Sequence, residues 1–269
     1  MKQLLLAFAT LLALQLPAQN FEIGLSLGHT SYIGDLVCLE GGGHLKEFAP
    51  LVGAFVKFNQ NRFSTKLGFM TSSISATPTN SHHPERGLWF KSPIREFALT
   101  GELNLFYINL NQHSFFTPYV FGGMAIYQFN PKAEYDGEWV ELQPLGTEGQ
   151  GMDGYNLPYQ LTQLAIPFGG GIKYKVNKRL MIGAEVGIRK LFTDYLDDVG
   201  GTEVNFKELI SEHGETAAMV SVPANQMEKV LSGESVLYTR GGAGNDMYYT
   251  CQINLSFTIG KVTPRCPRF

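Results

Sequence analysis

Apolar and polar residues alternate along several segments of the chain, and this alternation predicts β-strands. In 249–259 the odd-numbered residues are mostly apolar and the even-numbered residues are polar, a division that a strand places on two separate faces. The segment 21–28 alternates in the same way. Further strands are predicted near 51–59, 62–74, 94–108, 115–129, 163–176 and 179–192.

The connections between these eight predicted strands are alternately short and long. Short turns are predicted at 59–61, 109–114 and 176–179. Long loops are predicted at 29–48, 77–93, 130–162 and 193–246. Outer-membrane barrels combine short periplasmic turns with long extracellular loops and keep both termini in the periplasm. We therefore expect an all-β fold, an eight-stranded antiparallel up-and-down transmembrane β-barrel with long extracellular loops.

The phase of the alternation assigns one face of each strand to lipid and the other to the barrel interior. The expected lipid face carries Phe97, Leu99, Leu103, Leu105, Tyr107, Tyr119, Phe121, Tyr127, Leu164, Ile166, Phe168, Ile172, Tyr174, Leu180, Ile182, Val186 and Ile188. The opposite face carries Glu22, Lys57, Lys66, Glu96, Glu102, Lys173, Glu185 and Arg189. Because the interior of an eight-stranded barrel is only wide enough for its side chains, these mixed charges would pair and fill it. The alternative is a soluble barrel with its apolar face inward and these charges in solvent.

The first residues follow the order of a secretory signal peptide. Lys2 precedes an apolar run over 4–16, and Pro17 then ends the run. This run is shorter than the about 20 residues that a permanent transmembrane helix needs. We expect a signal peptide over 1–19, the barrel over 20–260 and a periplasmic tail over 261–269. An N-terminal core helix is the disfavoured alternative, because proline breaks helices.

Composition is compatible with a lipid-facing barrel and gives no sign of nucleic-acid binding. The formal net charge is −3, so the chain lacks the basic balance that nucleic-acid binding requires. Charged residues make up only 17% of the chain, while aromatic residues reach 12% and glycines number 30. No stretch after the N-terminal run is apolar over 18 residues, which argues against helical membrane spans.

Few residue clusters suggest chemistry. The acidic segment 193–199 lacks the ligand spacing of an EF-hand calcium loop, so a role in ordering a strand end or loop is favoured over a metal site. All six histidines are expected in loops or turns, which disfavours a lipid-modifying hydrolase with His and Ser on its wall. The glycines at 169–171 lie within a predicted strand and indicate close packing, not a phosphate loop. We expect no catalytic residues, no metal and no cofactor.

Seven short runs, in sequence order, resemble the PorG family of Bacteroidetes outer-membrane barrels, which belongs to the type IX secretion system. The runs are Tyr32-Ile33-Gly34-Asp35-Leu36, 62–68, Gly101-Glu102-Leu103-Asn104, 118–123, 145–151, 193–199 and Cys266-Pro267-Arg268-Phe269. The resemblance implies a non-enzymatic barrel that associates with a periplasmic ring of a PorK-like lipoprotein and a PorN-like protein. The alternative is a general structural or adhesive barrel of the OmpA or OmpX type.

The C-terminal tail is a candidate partner interface. Its prolines prevent it from extending the last strand, so it would remain in the periplasm, where a ring would dock. The candidate contacts are Arg265, Cys266, Pro267, Arg268 and Phe269. Cys251 is expected to face lipid and Cys38 to lie in a loop on the other side, which leaves the Cys266 thiol for an intermolecular disulfide. A disordered tail with an idle thiol is the alternative.

Overall fold

The computed structural model describes residues 21–37, 46–81, 83–106, 115–242 and 244–259. The predicted signal peptide (1–19) and the predicted tail (261–269) lie outside the described residues. The strands are, in chain order, β1 (Phe21–Ile33), β2 (Ala49–Gln60), β3 (Phe63–Ala76), β4 (Phe90–Asn104), β5 (Phe116–Phe129), β6 (Lys132–Tyr135), β7 (Glu138–Glu141), β8 (Thr162–Lys175), β9 (Leu180–Leu191), β10 (Glu203–Asn205), β11 (Leu237–Thr239) and β12 (Met247–Ile259).

Eight of these strands form a closed wall. They pair in the order β3-β2-β1-β12-β9-β8-β5-β4, and β3 pairs with β4 to complete the ring. The first and last wall strands are antiparallel and in register from Phe21↔Ile259 to Ile33↔Met247. Every wall strand therefore has two partners, and the barrel has no free edge. The predicted eight-stranded antiparallel up-and-down β-barrel is confirmed.

Short and long connections lie at opposite ends of the barrel. At the short end, β2 and β3 are joined by the two residues Asn61 and Arg62. Asn61 has a φ of 58°, in the left-handed region that asparagine tolerates in tight turns. At the other end the connections 34–48, 77–89, 130–161 and 192–246 are long. The predicted alternation of connection lengths is therefore confirmed.

The wall has an apolar outer surface and a polar interior. On β1 and β12, for example, Leu25 and Leu255 point outward and are about half exposed, at 60% and 48%. Their neighbours Ser26 and Asn254 point inward, are buried, and hydrogen-bond to each other at 2.6 Å. A soluble barrel has the opposite arrangement, whereas a lipid-facing barrel has this one.

The phase predicted for β5 is wrong. Tyr119, Phe121 and Tyr127 were expected on the lipid face, but all three are buried inside the barrel. Val120 and Ile126 point outward instead. Both faces of β5 are largely apolar, so alternation of polarity alone could not distinguish them. Among the other residues expected on the lipid face, Tyr107 lies outside the described residues.

Inward glycines make room for these aromatic rings. A Cβ at Gly171 would lie 2.8 Å from the Tyr119 ring, and one at Gly187 would lie 2.7 Å from the Phe121 ring. The glycines within β8 therefore serve close packing, as their position in a strand suggested. The rings occupy the volume that side chains on β8 and β9 would otherwise need.

The wall strands extend beyond the predicted limits at the long-loop end, and the loops there are folded. β1 continues to Ile33 and β4 begins at Phe90, and their buried side chains join an apolar core that also includes Leu191 and Leu196.

The connection 192–246 contains the strand pair β10–β11 and two helices, α1 (Phe206–Ser221) and α2 (Met227–Leu231). Neither helix of the described chain is long and apolar enough to cross a membrane.

The helix α1 begins at a side-chain cap and is interrupted once. The Asn205 side chain accepts a hydrogen bond from the Lys207 backbone N–H at 3.0 Å, the usual role of asparagine at this position. Gly214, with a φ of 89°, breaks the helical geometry midway. A second small core, which includes Val204, Leu209 and Tyr238, holds α1 against β10 and β11.

Candidate functional site

The eight charged residues expected in the interior all lie inside the barrel. Each is at most 8% exposed. They come from β1, β2, β3, β4, β8 and β9, and each occupies an inward position of its strand. These residues are Glu22, Lys57, Lys66, Glu96, Glu102, Lys173, Glu185 and Arg189.

Glu102 is the centre of one group of these charges. Its Oε2 atom lies 2.9 Å from Lys57 Nζ and 2.5 Å from Lys173 Nζ. Glu22, on a neighbouring part of the wall, accepts a hydrogen bond from Ser256 Oγ at 3.0 Å. One carboxylate therefore connects two lysines that β2 and β8 bring from different sides of the barrel.

Two further ion pairs lie next to this group. Lys66 Nζ is 3.1 Å from Glu185 Oε2, and the same carboxylate accepts the Tyr119 hydroxyl at 2.6 Å. Arg189 contacts both oxygens of Glu96 through Nε and Nη2, each at 3.2 Å. A two-point contact of this kind fixes the orientation of the guanidinium as well as its position.

The interior is filled. Its four carboxylates and four cations balance in charge, and a cavity of about 40 Å³ lies among Ser26, Phe55, Lys66, Glu96 and other side chains. Charges taken out of water are costly unless they are paired and hydrogen-bonded. Seven of the eight form ion pairs, and Glu22 accepts hydrogen bonds from Asn59 and Ser256. Side chains fill the described barrel interior, so it does not form a wide aqueous channel.

The acidic segment 193–199 folds over the long-loop end of the barrel. Asp197 accepts the Tyr32 hydroxyl at 2.5 Å, and Asp246 lies 3.0 Å from the same hydroxyl. Asp246 also accepts the Leu196 backbone N–H at 2.9 Å. Because a hydroxyl carries one hydrogen, one of the two carboxyls must be protonated for both contacts to be hydrogen bonds.

Asp198 connects further segments at this end of the barrel, and we call the folded loops there the loop cap. It lies 2.9 Å from Arg240 Nη1 and accepts the hydroxyls of Thr147 at 2.5 Å and Tyr159 at 2.7 Å. Arg240 also donates to Thr147 Oγ1 at 2.7 Å. Three long-loop segments that are distant in sequence are thereby tied together by one buried ion pair.

Burial is the main influence on the acidity of these carboxyls. It raises the pKa of Asp197 and of Asp246 well above the ordinary value. It also raises the pKa of Glu148 to about 6, although the nearby Arg240 acts in the opposite direction. The pKa of Asp194 rises to about 6 through burial and the proximity of Asp35.

The cap carboxyls are engaged in ordering the loops. Within the described residues no three His, Cys, Asp or Glu side chains are grouped so that they could hold a metal ion. The carboxylate oxygens of Asp197 and Asp198 accept hydrogen bonds from hydroxyls, backbone N–H groups and Arg240. The sequence did not point to Arg240, Tyr32 or Thr147 as their partners, because no local spacing links residues so far apart.

The histidine prediction is wrong at two positions, His29 and His213. His29 lies in β1, not in a loop, and its ring packs against Phe48 with centroids 4.2 Å apart. Ser31 follows on the same face of β1 but is fully buried, and it hydrogen-bonds with Tyr249. His213 lies in the helix α1, where its ring Nδ1 is 2.8 Å from the Leu145 carbonyl oxygen, and His83 lies in a loop. His44, His82 and His113 are outside the described residues.

The candidate partner contacts Arg265, Cys266, Pro267, Arg268 and Phe269 also lie outside the described residues. Cys38 does as well. Cys251, on β12, is the free cysteine of the described part of the chain and is half-buried on the outward face. It pairs in register with His29 and Val186.

Comparison with solved structures finds bacterial proteins at low similarity, among them outer-membrane proteins. Neisserial surface protein A has 8% identity and a TM-score of 0.44, covering 89% of this chain and 97% of that chain. OprG of Pseudomonas aeruginosa has 9% identity and a TM-score of 0.39, covering 89% and 96%. Ail, the attachment invasion locus protein of Yersinia pestis, has 9% identity and a TM-score of 0.37, covering 88% and 99%.

A comparison with curated proteins found no match. A protein-family model does match, over residues 1–216 of the 269, and so covers the predicted signal peptide, seven wall strands and about half of the 192–246 connection. The chain therefore belongs to the family described as a domain of unknown function, DUF6089.

Proposed function

We propose that this protein is a non-enzymatic outer-membrane component of a type IX secretion machine. In this role it anchors a periplasmic ring of a PorK-like lipoprotein and a PorN-like protein at the membrane. The observation that carries the proposal is the interior, which is occupied by buried charged and aromatic side chains. A barrel of this kind can hold a partner in place but cannot conduct a secreted protein.

The outer surface supports a place in the membrane. Outward side chains such as Phe97, Leu164, Val186 and Ile253 are each more than half exposed, and they lie on different strands around the wall. Apolar surface of this extent is stable in lipid and unfavourable in water. The secretory N-terminus predicted for 1–19 supplies the route of export.

The absence of a catalytic role is part of the proposal. His29 and Ser31 share the outward face of β1, which is the arrangement that a wall-mounted hydrolase would need. Ser31 is fully buried and bonded to Tyr249, so its hydroxyl is not presented to a substrate. Nucleophilic catalysis requires a serine that is both activated and accessible.

A structural or adhesive barrel of the OmpA or OmpX type is the second candidate. It is favoured by the folded long-loop end, where Leu157, Leu231 and Leu237 are 85%, 73% and 58% exposed. Exposed apolar side chains of this size are suited to contact with another surface. In that case the long loops, and not the periplasmic end, would carry the function.

Affinity purification of the tagged protein from membranes tests the proposal. Recovery of the ring proteins in stoichiometric amounts, together with loss of secretion on gene deletion, is the expected result. Truncation after Lys261 and the separate Cys266→Ser variant then ask whether the tail makes the contact, with non-reducing gels reporting an intermolecular disulfide. Normal secretion in the deletion strain with loss of adhesion would favour the second candidate.

A further inference from the structure

The charges on the eight wall strands are segregated by sign. Every acidic residue of the described wall strands, Glu22, Glu96, Glu102 and Glu185, points into the barrel. The charged side chains that point outward are Lys91, Arg95 and Lys190. The lipid-facing surface of the described strands is therefore exclusively cationic wherever it is charged, although the whole chain has a net charge of −3.

Lys91 and Arg95 lie on one face of β4, just beyond the apolar belt. Phe97 and Leu99, on the same face, are 61% and 52% exposed and mark the end of the apolar surface. Lys91 and Arg95 follow toward the long-loop end, with Pro93 between them. Residues two and four apart in a strand share a face, so the Cα atoms of Lys91 and Arg95 are about 13 Å apart.

Two tryptophans lie beside these cations. Trp89 and Trp139 form an edge-to-face pair with centroids 5.2 Å apart, and Lys91 Nζ is 6.0 Å from the Trp139 ring. Tryptophan is enriched where a membrane protein crosses the level of the lipid headgroups. The outward side chains from Leu99 to Trp89 therefore extend from the hydrocarbon region of the membrane into its headgroup region.

The register neighbours of Arg95 are polar and uncharged. Its direct cross-strand partners are Thr71 on β3 and Gln128 on β5, which supply a hydroxyl and an amide. Within the described part of the chain, neither Lys91 nor Arg95 forms an ion pair. A guanidinium binds phosphate through two parallel hydrogen bonds, and neutral donors on both sides add to this contact.

Two acids at the long-loop end are already engaged. Glu47 accepts hydrogen bonds from Ser75, Thr77 and Asn80, and Glu141 pairs with Lys132 at 2.8 Å. Glu134 and Glu138 in the β6–β7 hairpin are exposed, whereas the register neighbours of Arg95 itself are the neutral Thr71 and Gln128.

We propose that Arg95, with Thr71 and Gln128, binds the phosphate of a lipid headgroup in the outer leaflet. Lys91 lies farther from the apolar belt and adds a second charge that attracts the same anionic surface. Trp89 and Trp139 hold this part of β4 and β7 at the headgroup level. The proposal rests on the membrane location and orientation proposed above, and it is independent of the secretion partner.

Native mass spectrometry of the purified barrel with monophosphorylated lipid A tests this site. Arg95→Gln should weaken binding about 5-fold, and the Lys91→Gln/Arg95→Gln double variant about 30-fold, since each cation near an anionic surface contributes about 1 kcal/mol. The charge-matched control is Lys207→Gln, on the exposed side of α1, which should bind as the wild type does. Heat-modifiable migration on gels checks that every variant forms the barrel.

Two further arms distinguish the lipid from free phosphate. Dephosphorylated lipid A should bind no better to the wild type than to the double variant, and inorganic phosphate should not displace the phosphorylated lipid. Equal affinity of wild type and double variant for the phosphorylated lipid would overturn the proposal.

Normal recovery of ring proteins by a double variant that has lost lipid binding would separate this site from the secretion role. Failure of the wild type to reach the outer membrane would contradict the proposed function itself.

Discussion

At the scale of single residues, the barrel interior depends on glycines placed opposite aromatic rings. Tyr119 lies against Gly171, and its hydroxyl reaches Glu185 at 2.6 Å, so the ring fills space while its polar tip joins the charge network. Tyrosine can serve either face of a strand because it has an apolar body and a polar end. This is the physical reason why polarity alone misassigned the phase of β5.

We expect Gly171→Ala to destabilise the barrel by about 1–3 kcal/mol, the usual cost of overpacking. The added Cβ would lie 2.4 Å from the Ala184 carbonyl oxygen and 2.8 Å from the Tyr119 ring, and the backbone oxygen cannot move aside alone. Urea unfolding in detergent measures the change. Gly122→Ala is the matched control, because the nearest heavy atom to its new Cβ would be 4.0 Å away. Equal stability of the two variants would show that the interior is less tightly packed than described.

The buried ion pairs should differ sharply from those on the surface. Glu102→Gln removes the charge that Lys57 and Lys173 share, and we expect a loss of about 3–5 kcal/mol, since it leaves buried cations uncompensated. Glu141→Gln breaks the exposed pair with Lys132 and should cost less than about 1 kcal/mol. The same urea titration compares them. Similar losses from both variants would argue against a dry, charge-paired interior.

At the scale of elements, the wall was predictable and the loops were not. Period-two alternation located all eight wall strands, because each of them has one face toward the interior and one toward the outside. In contrast, α1 and the β10–β11 pair lie in a connection without such periodicity. Their positions depend on contacts between distant segments, such as Asp198 with Arg240 and Thr147, which no local pattern reveals.

The loop cap should lose stability as the pH rises from about 4.5 to above 6. Burial raises the folded-state pKa of Glu148 from 4.5 to about 6, so the folded cap holds its proton more tightly than the unfolded chain does. Its contribution is therefore complete below about pH 4.5 and is lost as the pH passes through about 6. A shift of this size corresponds to about 2 kcal/mol.

Hydrogen exchange of the backbone amides in 196–200 measures this dependence between pH 4 and pH 7, after correction for the intrinsic exchange rate. Glu148 accepts the Gly200 backbone N–H at 2.7 Å, and Glu148→Gln keeps an acceptor there while removing the titrating group. The variant should show a smaller change in protection over this range than the wild type. Identical pH profiles would mean that Glu148 does not titrate in the cap.

At the scale of the whole molecule, the barrel combines an apolar outer surface with an interior that side chains fill. Leu255→Arg puts a charge on the outer wall and should cost about 2–4 kcal/mol near the bilayer midplane. Leu237→Arg makes the same change at a 58% exposed position of β11, in the folded loops, and should have little effect. Yields of heat-modifiable barrel from outer membranes compare the two. Equal yields would contradict a lipid-facing position for Leu255.

The two ends of the barrel predict its orientation in the membrane. The short end has turns such as Asn61-Arg62, and the other end has the four long connections, with α1 in the last of them. Barrels of the outer membrane place their long loops outside the cell, so short epitopes inserted near Asn80 or at Gly214 should be labelled by antibody on intact cells. Gly214 suits insertion because it already interrupts the helix α1.

Epitopes at Asn61 and Asn177 are the matched insertions at the short end and should be labelled only after the outer membrane is permeabilised. Both positions lie in turns of the described chain, so the insertions should not disturb the wall strands on either side. The ring partner proposed here is periplasmic, and it can reach the barrel only from this end. Labelling of intact cells at Asn61 but not at Gly214 would therefore reverse the orientation, and with it would remove the physical basis for docking a periplasmic ring on the short turns.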